Sequence, residues 1–288
     1  MKILKPILLA LLLSILFSCS VNKYQKMGTV ISDNFYGKIE FTTIKNIIIL
    51  PVELDGVKKN FLFDTGNELN SIQRDSVFGE SLQIGSPTGS PTKSGSEIVK
   101  SLKIGGINFV NTFATNINMI GINEQIPNFG GIIGQSIISK ANWLINYPKK
   151  TIEISDKNLA KDTFKTLEID IKNERYYTQF SIDGKIEKGL IDLGASSEFI
   201  LTKESIISEY LMSKYEFKEV QRPRTSLGIT ENIVELRGII PLIKLGEIEF
   251  ENVEVTIGDS RNIRIGASFF KECQFYIDNS SRSIKLKK

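Results

Sequence analysis

The feature that most constrains the fold of this chain is a long internal duplication. The stretch FLFDTGNELNSI begins at Phe61, and its counterpart GLIDLGASSEFI begins at Gly189. Each contains an apolar run, an aspartate, a glycine turn and a final isoleucine, and the aspartates are Asp64 and Asp192. Upstream, Asp-Gly pairs at residues 55–56 and 183–184 keep the same offset, and Asp-Gly between apolar runs is a strong hairpin signal. Each copy therefore predicts a strand, a hairpin, a second strand and an Asp-x-Gly turn.

The duplication continues downstream with a slightly larger offset. IIGQSIISKANWLINYPKKTIEI begins at Ile132, and RIGASFFKECQFYIDNSSRSIKL begins at Arg264, so that Gly134 corresponds to Gly266. Between these blocks, LKIGGINFVN from Leu102 is similar to IKLGEIEFEN from Ile243. A period this long is far above that of a solenoid repeat. The pattern predicts two copies of one domain.

Chain length and residue usage support two mostly β domains. The chain has 288 residues, which gives each copy about 120 residues, a normal domain size. Isoleucine occurs in short runs, as is typical of strands. We expect a first lobe at residues 35–157 and a second at residues 158–288. The one long helical pattern is at residues 203–215, where Ile206, Ile207, Tyr210 and Leu211 recur at the spacing of one apolar helix face.

Residues 1–18 have the pattern of a signal peptide. Lys2 and Lys5 precede an apolar run at residues 7–17 that is too short to cross a bilayer as a helix. The run ends in LFSC, which resembles the lipobox of bacterial lipoproteins. That resemblance implies cleavage before Cys19, a lipid on Cys19 as membrane partner, a tether at residues 19–34, and a place in the bacterial cell envelope. The alternative is an ordinary signal peptide with an incidental cysteine.

The absence of histidine excludes several classes of chemistry. The sequence has none, which rules out Ser-His-Asp and Cys-His catalysis and the usual imidazole-based zinc sites. Without the signal peptide, which contains two lysines, the net charge falls from +3 to +1, so we expect no nucleic-acid partner. Cys273 lies in an apolar strand and is expected to be buried and unreactive. Any chemistry must use carboxylates, Lys, Tyr or Ser.

Together, the two Asp-x-Gly turns and the two downstream hydrophobic-Gly turns resemble the pepsin and retropepsin clan of aspartic proteases. The similarity is to its bacterial aspartyl-protease-like family, here in tandem, and it covers nearly the whole mature chain. It implies a two-lobed acid-protease fold built from a duplicated retropepsin-like β-barrel domain. It also implies Asp64 and Asp192 as the catalytic pair, a polypeptide substrate in the interlobe cleft, a monomer, and no cofactor or metal.

The resemblance extends to the residues around each aspartate. It implies supporting roles for Gly134, Gly266 and the two turns, Thr65-Gly66-Asn67 and Leu193-Gly194-Ala195-Ser196. In the clan, the residue after each aspartate is Thr or Ser, and its hydroxyl bonds to backbone in the opposite turn. Leu193 has no hydroxyl, so one arm of this clasp is missing. Asn67 replaces a smaller residue, and its amide is able to donate to a carboxylate.

The resemblance also assigns a flap to the interval between each aspartate and its hydrophobic-Gly turn. In the first lobe this interval contains GSPTGSPTKSGSE, residues 85–97, which we expect to be a loop or a hairpin tip; a plain surface loop is the alternative. The counterpart in the second lobe is RTSLGITEN, residues 224–232.

Two carboxylates held close together cannot both ionise cheaply, so they share a proton. Because the two groups titrate as a coupled pair, the sequence does not assign the acid or the base role to either aspartate. The leading interpretation is an aspartic endopeptidase. A non-catalytic peptide-binding lipoprotein of the same fold is the alternative that Leu193 favours. A glycosidase also uses two carboxylates, but that chemistry does not require them on duplicated turns.

Overall fold

A computed structural model describes residues 23–84, 92–123, 125–226 and 229–288. The predicted signal peptide, Cys19 and the first residues of the predicted tether lie outside the described residues. Within the described ranges, no helix combines the length and the apolar character that crossing a membrane would require.

The first lobe is a nine-stranded sheet that closes on itself. Its members, numbered along the chain, are β1 (Thr29–Val30), β3 (Thr42–Ile44), β4 (Ile47–Leu54), β5 (Val57–Phe63), β6 (Asn70–Gln73), β7 (Leu82–Ile84), β8 (Thr92–Ile104), β9 (Ile107–Ile117) and β10 (Phe129–Ile133). Strand β8 pairs with both β4 and β9, which closes a barrel through β9, β6, β10, β5 and β4. Two one-turn helices, α1 (Ile120–Asn123) and α2 (Gln135–Ile138), flank β10.

The second lobe repeats this barrel. Its sheet contains β14 (Ile169–Lys172), β15 (Arg175–Ile182), β16 (Lys185–Asp192), β17 (Phe199–Thr202), β18 (Lys218–Ser226), β19 (Ile229–Leu245), β20 (Ile248–Gly258) and β21 (Arg264–Gly266). Strand β19 pairs with both β15 and β20 and closes the ring. Helix α3 (Ile206–Lys214) follows β17, and a 3-10 helix, η1 (Ala267–Phe270), corresponds to α2. Because β4 and β15, like β5 and β16, begin at the same offset as the two aspartates, the duplication seen in the sequence is also structural.

A third sheet of six strands joins the lobes. It contains β2 (Tyr36–Glu40), β11 (Asn142–Asn146), β12 (Thr151–Ser155), β13 (Lys165–Leu167), β22 (Gln274–Asp278) and β23 (Ser283–Lys287). At its centre β11 runs antiparallel to β22, with Trp143 opposite Ile277 and Ile145 opposite Phe275. In the duplication Trp143 corresponds to Phe275 and Ile145 to Ile277, so each of these two pairs is the counterpart of the other. A pseudo-twofold axis therefore passes through the middle of this sheet.

Local sequence explains the hairpins that lead to the aspartates. Asp55 and Gly56 have φ values of 47° and 89°, and Asp183 and Gly184 have 50° and 78°. Two successive left-handed residues make the type I′ turn that matches strand twist, and Asp-Gly is a favoured sequence for it. The predicted hairpins β4–β5 and β15–β16 are thus confirmed.

One hydrophobic core extends through both lobes and beneath the joining sheet. Its largest side chain is Trp143, which packs 5.2 Å from Phe63 between ring centroids. Cys273 is buried here as expected, although it lies just before β22 and not in a strand, and burial raises the pKa of its thiol to about 12. The mostly β, two-lobed fold is confirmed.

Three expectations about local structure are wrong in detail. The described part of the predicted tether packs on the first lobe: Gln25 is 1% exposed, and β1 pairs with β9. Residues 92–97, expected to belong to a loop or a hairpin tip, are part of strand β8, which pairs antiparallel with β7, whereas residues 85–91 lie outside the described residues. Helix α3 forms as expected, yet Ile206, assigned to its apolar face, is 79% exposed because Ile207 and Leu211 take the buried positions.

Candidate active site

The duplicated strands deliver the two aspartates to equivalent positions. In the first lobe β5 runs parallel to β10, and the backbone N–H of Asp64 donates to the carbonyl oxygen of Ile133 at 2.9 Å. In the second lobe β16 runs parallel to β21, with Asp192 opposite Gly266. Because successive side chains alternate across a strand, buried Phe63 and Ile191 point to the core while both aspartates point to the other face.

Each aspartate faces the glycine of the opposite turn. A methyl group added at Gly66 would lie 2.7 Å from Cγ of Asp192, and one added at Gly194 would lie 2.6 Å from Oδ1 of Asp64. Real Cβ atoms essentially never come so close to another heavy atom. The two turns therefore interlock across the pseudo-twofold axis. The carboxyl groups of Asp64 and Asp192 therefore face each other across this axis, each packed against the glycine of the opposite turn.

Each carboxylate is oriented by the backbone of its own turn. The N–H of Gly66 donates to Oδ1 of Asp64 at 2.8 Å, and the N–H of Gly194 donates to Oδ1 of Asp192 at 3.1 Å. The backbone angles do not require glycine at either position, because neither residue is among those with positive φ. What requires glycine is the approach of the opposite carboxyl group.

The surroundings favour the protonated form of Asp64. Burial and, next, the negative charge of Asp192 raise the pKa of Asp64 well above its usual range. The Gly66 N–H and the positive charge of Arg264 act in the opposite direction and are outweighed. A carboxyl pair in this setting retains a proton at a pH where isolated carboxyls have lost theirs.

One arm of the expected clasp is present, and the other is replaced by packing. The hydroxyl of buried Thr65 donates to the carbonyl of Ile191 at 2.8 Å and accepts from the N–H of Leu193 at 3.0 Å. Leu193 is fully buried in the core that the lobes share. Its side chain therefore contributes apolar contact where a hydroxyl was expected.

The other predicted site residues support the two turns through backbone contacts. In the first lobe Gln135 N–H donates to the carbonyl of Asn67 at 3.0 Å, and in the second Ala267 N–H donates to that of Ala195 at 2.8 Å. The Ser196 carbonyl accepts from the hydroxyl of Ser268 at 2.6 Å. The Gly134 N–H donates to Oδ1 of Asn70 at 2.9 Å. In the second lobe the Gly266 N–H donates to the carbonyl of Glu198 at 2.9 Å.

The amide of Asn67 has a different partner from the one expected. Its Nδ2 donates to the hydroxyl of Ser71 at 3.4 Å, and this contact holds the Asn67 side chain on its own lobe. Ser71 in turn shares a 2.9 Å hydrogen bond with Thr115. Asn67 thus belongs to a polar cluster beside the first turn.

Sequence reasoning missed two side chains that contact the turns. A guanidinium nitrogen of Arg264 lies 3.4 Å from Oδ2 of Asp192, and Nε2 of Gln135 donates to the carbonyl of Thr65 at 2.9 Å. A comparison of the two aligned copies downstream of the aspartates contained a signal for both residues. Arg264 corresponds to Ile132 and Gln135 to Ala267, so each lobe has one polar residue where its twin is apolar.

Sequence reasoning also missed the side chains that brace one lobe against the other. Asn46, in the β3–β4 hairpin, donates to Ser268 of the second lobe at 2.8 Å. In the reverse direction the β14–β15 hairpin contacts the first lobe, where Asn173 donates to Oε1 of Glu68 at 3.1 Å. Gln25 Nε2 lies 2.9 Å from both the Glu68 and the Asn173 carbonyls. Both hairpins therefore hold the turn region of the opposite lobe.

Comparison with known proteins supports the fold and stops there. No family model and no curated protein sequence matches this chain. Among solved structures, the chain is similar to the crystal structure of basic 7S globulin from soybean, with a TM-score of 0.51 and 9% sequence identity. The similarity covers 88% of this chain and 95% of that chain. At this level of identity, what the two proteins share is a two-lobed, mostly β fold.

Proposed function

We propose that this chain is an aspartic endopeptidase that hydrolyses peptide bonds with a water molecule activated by Asp64 and Asp192. The observation that carries the proposal is the interlocking of the two aspartate turns, which brings two carboxyls together and favours retention of one proton. Such a pair contains both groups that the reaction needs: an ionised carboxylate and a protonated carboxyl.

The reaction follows from the protonation of the pair. The ionised carboxylate takes a proton from water as the water oxygen attacks the peptide carbonyl carbon, while the protonated carboxyl gives its proton to the carbonyl oxygen. The resulting tetrahedral diol collapses: one of its hydroxyl groups returns a proton to the pair, the C–N bond breaks, and the leaving nitrogen receives a proton from the pair. The pair ends with the single proton it had at the start.

The proposal is tested with the mature chain, casein as substrate, and Asp64→Asn, Asp192→Asn and the double variant. Because the two carboxyls act as one unit, each single change should abolish cleavage about as completely as the double change. Cleavage should also decline at high pH, where the shared proton is lost. Substantial cleavage by a folded Asp192→Asn protein, or a rate that keeps rising beyond pH 8, would overturn the proposal.

A second candidate is peptide binding without hydrolysis, favoured by the replacement of the second clasp hydroxyl by Leu193. Pepstatin, an inhibitor of aspartic proteases, separates the two functions. Thermal stabilisation by pepstatin together with Asp-dependent cleavage supports the endopeptidase. Stabilisation without cleavage supports the binding protein, and an absence of both effects contradicts both.

The proposed enzyme is lipid-anchored at the bacterial cell envelope through Cys19. The lipobox-like LFSC carries this part of the proposal. Labelling of cells with a fatty-acid analogue should mark the wild-type chain and leave Cys19→Ser unmarked. Equal labelling of the two chains, or of neither, would remove the anchor and leave the proposed chemistry untouched.

A further inference from the structure

The two halves of the carboxyl pair differ in their neighbours. In the first lobe Ile132 lies opposite Leu62, and both belong to or pack against an apolar cluster. At the matching positions in the second lobe, Arg264 lies opposite Leu190. Since residues two apart share a face of a strand, Leu62 lies on the face of Asp64 and Leu190 on the face of Asp192. At this pair of matching positions the duplication has therefore placed a cation in contact with Asp192 and an apolar side chain in the lobe of Asp64.

The contact between this cation and Asp192 is largely shielded from water. The guanidinium lies 3.4 Å from Oδ2, and the side chains of Arg264 and Asp192 are only 13% and 10% exposed. An ion pair is screened much less at such a site than on the surface. Oδ1 of Asp192 already accepts from the Gly194 N–H, so both oxygens of this carboxylate face donors.

Other ionisable groups on the neighbouring elements are engaged elsewhere. Glu198, after β16, pairs with Lys271 at 2.9 Å and accepts from the Glu254 N–H at 2.7 Å. Glu68, in the first-lobe turn, pairs with Arg175 at 2.6 Å. On β15, the strand next to β16, Tyr177 lies opposite Leu190. The Nζ atom of Lys172, on β14, lies 5.6 Å from the centroid of the Tyr177 ring.

We infer that Arg264 is a positioning residue that fixes the negative charge of the pair on Asp192 and the shared proton on Asp64. Asp192 has a guanidinium in direct contact and a backbone N–H, whereas among the described residues Asp64 accepts from the Gly66 N–H, lies beside apolar side chains, and senses Arg264 without contacting it. The charge therefore has the lower free energy on Asp192.

The consequence for catalysis rests on the proposed function, whereas the charge assignment does not. With the charge on Asp192, this residue takes the proton from the attacking water, and Asp64 donates its proton to the carbonyl oxygen. When the C–N bond breaks, the proton on Asp192 passes to the leaving nitrogen and Asp64 recovers a proton from the diol. Arg264 takes no part in these transfers.

The direct test is a pH titration of the full mature chain followed by NMR of ¹³Cγ-labelled aspartates. Resonances are assigned with Asp64→Asn and Asp192→Asn. On raising the pH of the wild type, the first ionisation step of the pair should appear mainly on Asp192 and the second mainly on Asp64. Arg264→Gln, which keeps a donor but no charge, should move the first step upward by about one to two pH units.

Three further variants complete the design. Arg264→Ile reproduces the first lobe and should behave like Arg264→Gln, which provides a second neutral variant if one of them fails to fold. Arg264→Lys should return the first step towards the wild-type position. Lys165→Gln removes an exposed cation paired with Glu247 and should leave both steps unchanged. A first step on Asp64 in the wild type, or an unchanged first step in folded Arg264→Gln, overturns the inference.

Kinetics separate this inference from the proposed function. In Arg264→Gln the acid limb of kcat/KM should move upward with the first step, with little change in KM at the optimum. Cleavage at a pH below the limb should then fall about tenfold for each pH unit by which the limb moves. A wild type that titrates as described but cleaves nothing refutes the proposed function alone. Asp-dependent cleavage with an unchanged titration in Arg264→Gln refutes the role of Arg264 alone.

Discussion

The hydroxyl of Thr65 accepts a 3.0 Å hydrogen bond from the backbone N–H of Leu193, the residue at its own position in the other lobe. The same hydroxyl donates to the Ile191 carbonyl at 2.8 Å. Leu193 does not return these bonds, and its side chain is fully buried in the core. The clasp between the lobes is thus polar in one direction and apolar in the other.

Replacement of Thr65 by the near-isosteric Val should weaken this clasp. Two buried backbone groups, the Leu193 N–H and the Ile191 carbonyl, lose their partner, and an unsatisfied buried polar group costs about 1–3 kcal/mol. We expect the free energy of unfolding to fall by about that amount and kcat/KM to fall because the two turns are less firmly held. Urea denaturation and peptide kinetics measure both effects. A stability within about 0.5 kcal/mol of the wild type, as is usual for a surface substitution, would contradict the account.

Leu193→Thr tests whether the second arm was lost or replaced. From the sequence, the missing hydroxyl predicts that Thr would restore a bond. The structure predicts the opposite sign, because truncation removes apolar contacts from a fully buried site and adds a hydroxyl to it. We expect a stability loss of about 2–4 kcal/mol, within the range for large-to-small changes in a core. A variant more stable and more active than the wild type would show that a missing bond limits this turn.

Gly194→Ala should abolish activity without unfolding the chain. Its methyl group would overlap the carboxyl of Asp64, which must then move out of the pair. Gly66→Ala should act in the same way on Asp192. Gly189→Ala is a suitable comparison because its nearest contacts, 3.2 Å away, are side-chain carbons of Ile263 and Ile265 that are able to shift. Full activity in Gly194→Ala would mean that the two turns are farther apart in solution.

The pH dependence of stability provides a test that needs no substrate. The pKa of Asp64 is raised, so between the ordinary value near 4 and the raised value the folded state binds a proton that the unfolded state has released. Stability must fall as pH rises through this window. Asp64→Asn removes that contribution.

We therefore expect the free energy of unfolding of Asp64→Asn, relative to the wild type, to increase with pH by up to about 1.4 kcal/mol per unit and then to level off. Urea denaturation from pH 4 to pH 8 measures it. Carboxylates remote from the pair titrate alike in both proteins and cancel in the difference. A difference that is constant over this range would mean that Asp64 has an ordinary carboxyl.

Gln25→Ala should loosen the lobes from outside the pair. The Gln25 amide donates to the carbonyls of Glu68 in the first lobe and Asn173 in the second, and the residue is 1% exposed. Loss of this donor should cost about 1–3 kcal/mol. The matched control is Gln179→Ala, whose amide bonds to Glu168 at an exposed position and whose effect should stay within about 0.5 kcal/mol. Equal effects of the two changes would refute the bridging role.

Much of this organisation was predictable because it is encoded locally. The Asp-Gly pairs determine two hairpins through the backbone angles of four residues, and the isoleucine-rich runs beside them favour strands. The equal offsets then predict that Asp64 and Asp192 lie at equivalent points of two similar barrels. Helix α3 was also predictable, since Ser205 caps its first turn and accepts from the Ile207 N–H.

The sequence by itself determined the duplicated strands, the two barrels and the equivalence of the aspartates, because turn chemistry and side-chain periodicity act over a few residues. Only the tertiary structure decided which unlike residues meet. Arg264 and Asp192 are distant in the sequence and come together through the parallel pairing of β16 with β21. Leu193 becomes a core residue because the lobes close over it. A repeat predicts what the two halves share, whereas the differences between them acquire meaning only when packing gives each residue its neighbours.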